Sequence, residues 1–210
     1  MRLKNYLFLF ILITVSACVS EKCDCSIKNE ILKENNKELD RIEKSMSWSQ
    51  LGLQDYLDFK NDTYRLTIAP TWGNSQISEF KIENGWGKPK ILINRYEWNS
   101  RSTNSKLNKI GQTEELTLSD NEWTEFDNLI TEKCFWTMPV SSKEMYLDGT
   151  GWILEVKKRR ENPCSNKNYH LVSRVDNSPI FFELCDKLLK LANSSKMEQD
   201  SLLYLSWTSD

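Results

Sequence analysis

The fold is decided by a hairpin whose two strands read Trp152-Ile153-Leu154-Glu155-Val156 and Tyr169-His170-Leu171-Val172-Ser173-Arg174-Val175. Side chains of a strand point alternately to its two faces, so residues two apart share a face. The alternating apolar sets are Trp152, Leu154 and Val156 on the first strand and Tyr169, Leu171 and Val175 on the second. The pattern predicts an antiparallel pair that turns one face to a core.

The register of this hairpin follows if both apolar sets lie on the same face. Glu155 is then paired with His170, and Gly151 with Arg174, on the face away from Trp152. Charged and imidazole groups brought together in this way make a polar cluster or a binding face. We therefore expect Glu155, His170 and Arg174 to form the candidate site of the molecule.

The same alternation predicts strands upstream of the hairpin. Residues 64–68 alternate between apolar and polar side chains and are followed by Pro70. Residues 77–82 and 90–98 give two more candidates, and the glycines of Asn84-Gly85-Trp86-Gly87 suit a tight connection between them. These three strands are expected to form a meander.

Two helices are predicted, one before the hairpin and one after it. Ser119 caps the first, Glu122 closes a capping box, and the helix continues to about Phe135. The second begins at Ser178-Pro179, with serine as the cap and proline at the first helical position. The predicted buried stripe of the first helix is Trp123, Phe126, Ile130 and Cys134. That of the second helix is Phe181, Leu184, Cys185, Leu188 and Ala192.

These elements predict an α+β fold. We expect an antiparallel sheet of five to seven strands with two helices packed on one face, preceded by a helical stalk. The sheet and its two helices fill a single domain over residues 56–193, and residues 194–210 are a polar tail.

The N-terminal residues have the layout of a secretory signal. Arg2 and Lys4 precede an unbroken apolar run over residues 7–13. That run is too short to cross a bilayer, which takes ~20 apolar residues. The segment is therefore expected to be a leader that is removed.

The leader ends in Val15-Ser16-Ala17-Cys18, which resembles the lipobox of bacterial lipoproteins. The resemblance implies cleavage after residue 17, a signal peptide over residues 1–17, and lipid attached to the sulfur of Cys18. It also implies a location at the cell envelope, on the outer or inner membrane, with the membrane as partner through the lipid. An ordinary cleaved signal followed by a cysteine is the alternative.

The segment after the lipobox is polar and has a helical pattern. The apolar residues that recur every seven positions are Leu32, Leu39 and Met46. A coiled-coil seam is one reading of this repeat, but its shortness and Asn35 at a seam position favour a plain spacer helix. Residues 18–55 are thus expected to be a lipidated cysteine and a stalk that lends the domain little core.

Five of the six cysteines follow Cys18, and export would place them where disulfides form. Cys134 and Cys185 both fall on predicted apolar helix faces, so this pair is the first candidate disulfide, although spacing alone does not fix connectivity. Because the chain has no CxxC pair and a single histidine, His170, no metal and no cofactor are expected.

The domain also resembles an uncharacterised family of small bacterial proteins over about residues 63–193. The matching elements are Leu118-Ser119, Phe135-Trp136, Asp148-Gly149, Trp152-Ile153-Leu154-Glu155, Tyr169-His170, Arg174 and Ser178-Pro179. The extra cysteines and the long turn from Glu161 to Asn168 depart from that pattern. The resemblance implies a shared fold and brings no activity with it.

Composition and residue types limit the function. The formal net charge is −2, whereas nucleic-acid binding usually requires a strongly basic surface, so no nucleic-acid partner is expected. We expect a membrane-anchored envelope lipoprotein that acts as a noncatalytic binding or interaction module for a protein or a small ligand. One alternative is a hydrolase that uses His170 with Cys164, Cys185 or Ser173 as nucleophile. The other is an immunity-type inhibitor of a secreted toxin.

Overall fold

The computed structural model describes residues 29–45, 60–70, 76–85, 87–98, 107–142, 150–162, 167–175 and 178–192. The predicted leader, the lipobox with Cys18, and the polar tail lie outside these residues.

The described chain forms a six-stranded antiparallel sheet and three helices, so the α+β prediction is confirmed. In space the strands run β4-β3-β2-β1-β5-β6. They are β1 (Asp62–Pro70), β2 (Gln76–Asn84), β3 (Lys90–Trp98), β4 (Leu107–Thr117), β5 (Thr150–Asn162) and β6 (Lys167–Arg174). The meander of β1, β2 and β3 and the hairpin of β5 and β6 were both predicted. The edge strand β4 was not, because its side chains are almost all exposed and show no apolar alternation.

One face of the sheet carries the larger hydrophobic core. The strand side chains in this core are Tyr64, Leu66, Phe80, Ile82, Ile91, Ile93, Trp152, Leu154, Val156 and Val172. They belong to one cluster with the buried stripes of helix α2 (Asp120–Glu132) and helix α3 (Pro179–Leu191). We call this side of the sheet the helix face.

Helix α2 begins as its sequence predicts. The Ser119 side chain accepts from the Glu122 N–H, and the Glu122 carboxylate accepts from the Ser119 N–H, which completes the capping box. The helix ends at Glu132, before the predicted end at Phe135, and Cys134 adopts a left-handed backbone with φ of 53°. A short 3-10 helix, Phe135–Thr137, follows, so Cys134 does not continue the stripe of α2.

Helix α3 confirms its predicted stripe, because all five of the named residues are buried. Pro179 occupies the first turn, where its missing N–H leaves no helical hydrogen bond unmade. Ser178 is the N-cap residue, as predicted, but its side chain makes no capping hydrogen bond.

The opposite side of the sheet, which we call the second face, is also buried. Helix α1 (Asn29–Ser45) contributes Leu39 to a second hydrophobic cluster with Tyr96, Leu107, Val140 and Leu171. Over the described residues α1 therefore packs on the domain rather than standing clear of it, as a stalk would. The sheet thus has no fully solvated face at its centre.

Replacing Trp152 tests the packing of the helix face. It is 5% exposed, and its ring lies edge-on to Phe182 with centroids 5.4 Å apart. Trp152→Ala should lower the free energy of unfolding by ~3–5 kcal/mol because it leaves a cavity. Ile180→Ala, at a 52% exposed position, is the control and should change it by less than ~0.5 kcal/mol. Equal effects in urea denaturation would contradict the assigned core.

Candidate functional site

The hairpin register differs from the predicted one by a single residue. Val156 is paired with His170, Trp152 with Arg174, and Glu155 with Leu171. His170 and Arg174 therefore lie on the helix face, while Glu155 lies on the second face. The predicted cluster of Glu155, His170 and Arg174 is wrong, because a shift of one residue moves every side chain of a strand to the other face.

The reason for this error is that β6 is buried on both sides. Tyr169 and Leu171 are apolar, but they pack against the second face. Val172 lies between His170 and Arg174 in the sequence, shares their face of the strand, and belongs to the larger core. Apolar alternation identifies the core face only when the other face is solvated.

On the second face, Glu155 forms an ion pair with Arg65, at the centre of the sheet. Arg65 Nε donates to Glu155 Oε2 at 2.6 Å, and its Nη2 donates to Oε1 at 2.9 Å. The two residues face each other across β1 and β5. Arg65 is 1% exposed and Glu155 2%, so this bidentate pair is shielded from solvent.

A second carboxylate lies on the other side of Arg65. Glu79 Oε2 is 3.8 Å from Arg65 Nη1, while Glu79 Oε1 accepts from Asn94 Nδ2 at 2.8 Å and from the Tyr96 hydroxyl at 3.3 Å. On the Glu155 side, the Tyr169 hydroxyl donates to Oε1 at 2.9 Å. These residues form a continuous ionic strip across five strands: Arg65, Glu79, Asn94, Tyr96, Glu155 and Tyr169.

The contacts within the strip favour the charged form of Arg65 and the neutral form of Tyr96. Burial by itself lowers the pKa of the Arg65 guanidinium, but Glu155 and Glu79 more than offset that effect, so its pKa is raised. Burial and the Glu79 carboxylate both raise the pKa of Tyr96, which therefore stays a neutral donor. Each of these groups already has a partner within the fold, so the strip links the strands together and presents no group poised for proton transfer.

His170 occupies a closed position on the helix face. It is 1% exposed, and its ring lies edge-on to Phe135 at 5.2 Å and tilted against Trp136 at 6.3 Å. His170 Nε2 is 3.0 Å from the carbonyl oxygen of Met138. Because a carbonyl can only accept, Nε2 carries the proton. Burial lowers the pKa of His170 to about 4, so the imidazole is neutral near pH 7.

Arg174 binds the same stretch of backbone. Its Nη2 donates to Pro139 O at 2.8 Å and its Nη1 to Ser173 O at 2.7 Å, while the guanidinium lies 5.8 Å from the Phe181 ring centre. The Ser173 N–H donates to Val140 O at 2.7 Å. His170 and Arg174 thus attach residues 138–140 to the edge of β6, and we call these three residues the edge segment.

The predicted disulfide between Cys134 and Cys185 is wrong. Cys134 is bonded in a disulfide, whereas Cys185 is a free thiol with no exposed surface. Burial raises the pKa of the Cys185 thiol, which makes it a poor nucleophile. Within the described ranges, no three acidic, histidine or cysteine residues lie close enough together to hold a metal ion.

The outer surface between α2 and α3 contains an open groove of about 420 Å³. The groove is lined by Glu125, Asn128, Leu129, Glu132, Glu183, Asp186, Lys187 and Lys190. Lys187 Nζ lies 3.2 Å from Glu125, and Lys133 Nζ, near the groove, lies 2.6 Å from Glu183. These exposed ion pairs connect the two helices, and each is expected to add little stability because water screens it.

The chain was compared with protein-family models and with curated proteins, and neither comparison gives a match. The lipobox and the domain resemblance therefore stay predictions.

The sequence pattern did not identify Arg65, Glu79, Asn94 or Tyr96 as residues of the site. A signal was present in the form of opposite charges on three strands. Arg65 lies in one predicted strand, Glu79 in the next, and Glu155 in the hairpin. Without the strand order, the charges could not be assigned to neighbouring positions.

Glu155→Ala tests the ionic strip. This change should lower the free energy of unfolding by about 3–5 kcal/mol, because Arg65 keeps its charge in a buried position after its bidentate partner is removed. Replacing both partners, with Arg65→Met and Glu155→Leu, should recover part of that loss. Glu115→Ala is the matched control, since Glu115 forms an exposed ion pair with Lys90 at 3.2 Å. A cost for Glu155→Ala no larger than for Glu115→Ala would rule out the buried pair.

The low pKa of His170 predicts a pH dependence of stability. Its pKa is about 4 in the fold and about 6.5 in the unfolded chain, so between these values the unfolded state binds more protons. The contribution of His170 is complete above about pH 6.5 and is lost as pH falls toward 4, by roughly 3 kcal/mol. Urea denaturation of the wild type and of His170→Gln across this range isolates the effect. Parallel pH curves for the two proteins would disprove it.

Proposed function

We propose that this chain is a lipid-anchored protein of the bacterial cell envelope and that its domain is a noncatalytic binding or interaction module. In this proposal Cys18 carries the lipid and the residues up to α1 form a tether. The tether continues into α1, which packs on the second face, while α2 and α3 pack on the helix face. The anchor is supported by the leader and by the stretch Val15-Ser16-Ala17-Cys18. Among the described helices, none is long and apolar enough to cross a membrane.

The observation that carries the noncatalytic part is the enclosure of His170. A nucleophile pair needs an imidazole whose free nitrogen can take a proton from a serine or cysteine within hydrogen-bond reach. Here Nε2 carries the proton and donates to Met138 O, so Nδ1 is the nitrogen that could accept one, but the side chain is 1% exposed and packs against the rings of Phe135 and Trp136. Glu155 and Arg174 are likewise engaged within the fold. Recognition is therefore assigned to the exterior of the domain, with a protein or a small ligand as the partner.

Cys18→Ser tests the anchor. In cells fed a labelled fatty acid, the wild type should incorporate the label and sediment with membranes. Cys18→Ser should lose the label and appear in the soluble fraction, because lipid chains hold a protein to a bilayer through ~0.8 kcal/mol per buried CH₂. Cys23→Ser is the matched control and should behave as the wild type. A processed Cys18→Ser protein that still sediments with membranes would refute the anchor.

The noncatalytic part is tested on the purified, folded chain with reagents for activated nucleophiles. Fluorophosphonates modify serines paired with a base, and iodoacetamide at pH 5–6 favours thiols of lowered pKa. We expect neither reagent to produce a modification that His170→Gln removes, provided circular dichroism shows that the variant is folded. A modification that depends on His170 would establish the hydrolase instead.

A further inference from the structure

Helix α1 is attached to the domain at few points. Over residues 31–41, whose side chains are described, only Asn35 and Leu39 are buried. They lie four residues apart and so share one side of the helix. The neighbouring charged residues Lys33, Lys37 and Arg41 are exposed. Four further side chains in this range, at positions 31, 32, 36 and 38, are half-buried, so Asn35 and Leu39 are its two fully covered positions.

The Asn35 amide forms the more specific of the two contacts. Its Nδ2 donates to Met138 O at 2.9 Å, and its Oδ1 accepts from the Val140 N–H at 3.2 Å. The side-chain amide thereby bonds the backbone as a neighbouring strand would, with one donor and one acceptor. Its partner is the edge segment, which His170, Arg174 and β6 hold in place without help from α1.

The second contact is apolar and lies one helical turn further on. Leu39 is 4% exposed and belongs to the second-face cluster with Val140 and Leu171. Beyond it, Asp40 and Lys167 form an ion pair at 2.8 Å, with side chains that are 57% and 31% exposed. Such a partly exposed pair contributes little, so among the described side chains of α1 the main contacts are those of Asn35 and Leu39.

We propose that α1 is a releasable strap that leaves the second face as one unit while the sheet, α2 and α3 stay folded. Elements with few buried contacts open locally far more often than the whole domain unfolds. An isolated helix of 17 residues is only marginally stable in water, so release and unwinding of α1 occur together. Release leaves His170 as the remaining donor to the Met138 carbonyl, frees the Val140 N–H and removes Leu39 from its cluster.

Release uncovers a patch on the second face of the sheet. It offers one backbone acceptor and one backbone donor, Met138 O and Val140 N, beside the apolar side chains that contact Leu39. Because α1 lies between Cys18 and the sheet in the chain, its release would lengthen the connection between the lipid and the domain. That consequence rests on the proposed anchor, whereas the strap itself does not.

Hydrogen exchange of backbone amides in the full mature chain tests the strap. We expect amides of α1 to exchange at least about 100-fold faster than those of β1, and without the denaturant dependence of global unfolding. The Val140 amide should exchange together with α1, because it donates to Asn35. The Ser173 amide should keep its protection, because it donates to Val140 O within the edge segment.

Leu39→Ala should speed the exchange of α1 and of Val140 by roughly 30-fold and leave β1 and Ser173 unchanged. Lys37→Ala, on the exposed side of the same helix, is the matched control and should change neither set. The strap is refuted if α1 exchanges only with global unfolding, if Leu39→Ala speeds β1 equally, or if Ser173 follows α1. Failure of the Cys18→Ser labelling test would remove the anchor and leave these exchange rates as they are.

Discussion

The ion pair between Arg65 and Glu155 is the constraint on which the arrangement of the sheet depends. It connects β1 and β5 at the centre of a sheet whose two faces are both covered. A buried charge is tolerated only where a partner and hydrogen bonds replace water. Glu79 and Tyr169 complete that replacement from β2 and β6, so a slip of any of these strands would leave a charge or a hydroxyl unpaired. The strip therefore favours one strand register over others that would bury a similar apolar area.

Burial of both faces also explains why polar side chains with reactive chemistry have structural roles here. His170 and Arg174 share the helix face with the core and use their donors on the carbonyls of the edge segment. That segment covers part of the open edge of β6, which would otherwise expose unpaired backbone groups. Asn35 then bonds the outer side of the same segment. A series of polar contacts thus connects the core to α1, and the single histidine of the chain takes part in that series.

Much of the fold could be predicted from local pattern. The capping box at Ser119 and Glu122, the proline at the start of α3 and the apolar stripes of both helices depend on residues within a few positions of one another. The meander strands follow from alternation. Strand β4 could not be found in this way, because an exposed edge strand has no buried face to impose a pattern. The predicted end of α2 was also wrong, because the chain turns at Cys134 through a left-handed backbone conformation that the local sequence does not predict.

The sequence by itself determined the α+β class, the helix starts, and the alternation within each strand, because these follow from neighbours along the chain. Tertiary structure alone decided which of the two alternating sets of β6 faces the helices, since both sets are buried and the parity of apolar residues is then ambiguous. It likewise decided that Glu155 meets Arg65, 90 positions away, rather than His170. It also decided that Cys185 stays a free thiol. Each of these outcomes depends on strand order and on what covers the second face, and neither is encoded in any local stretch of residues.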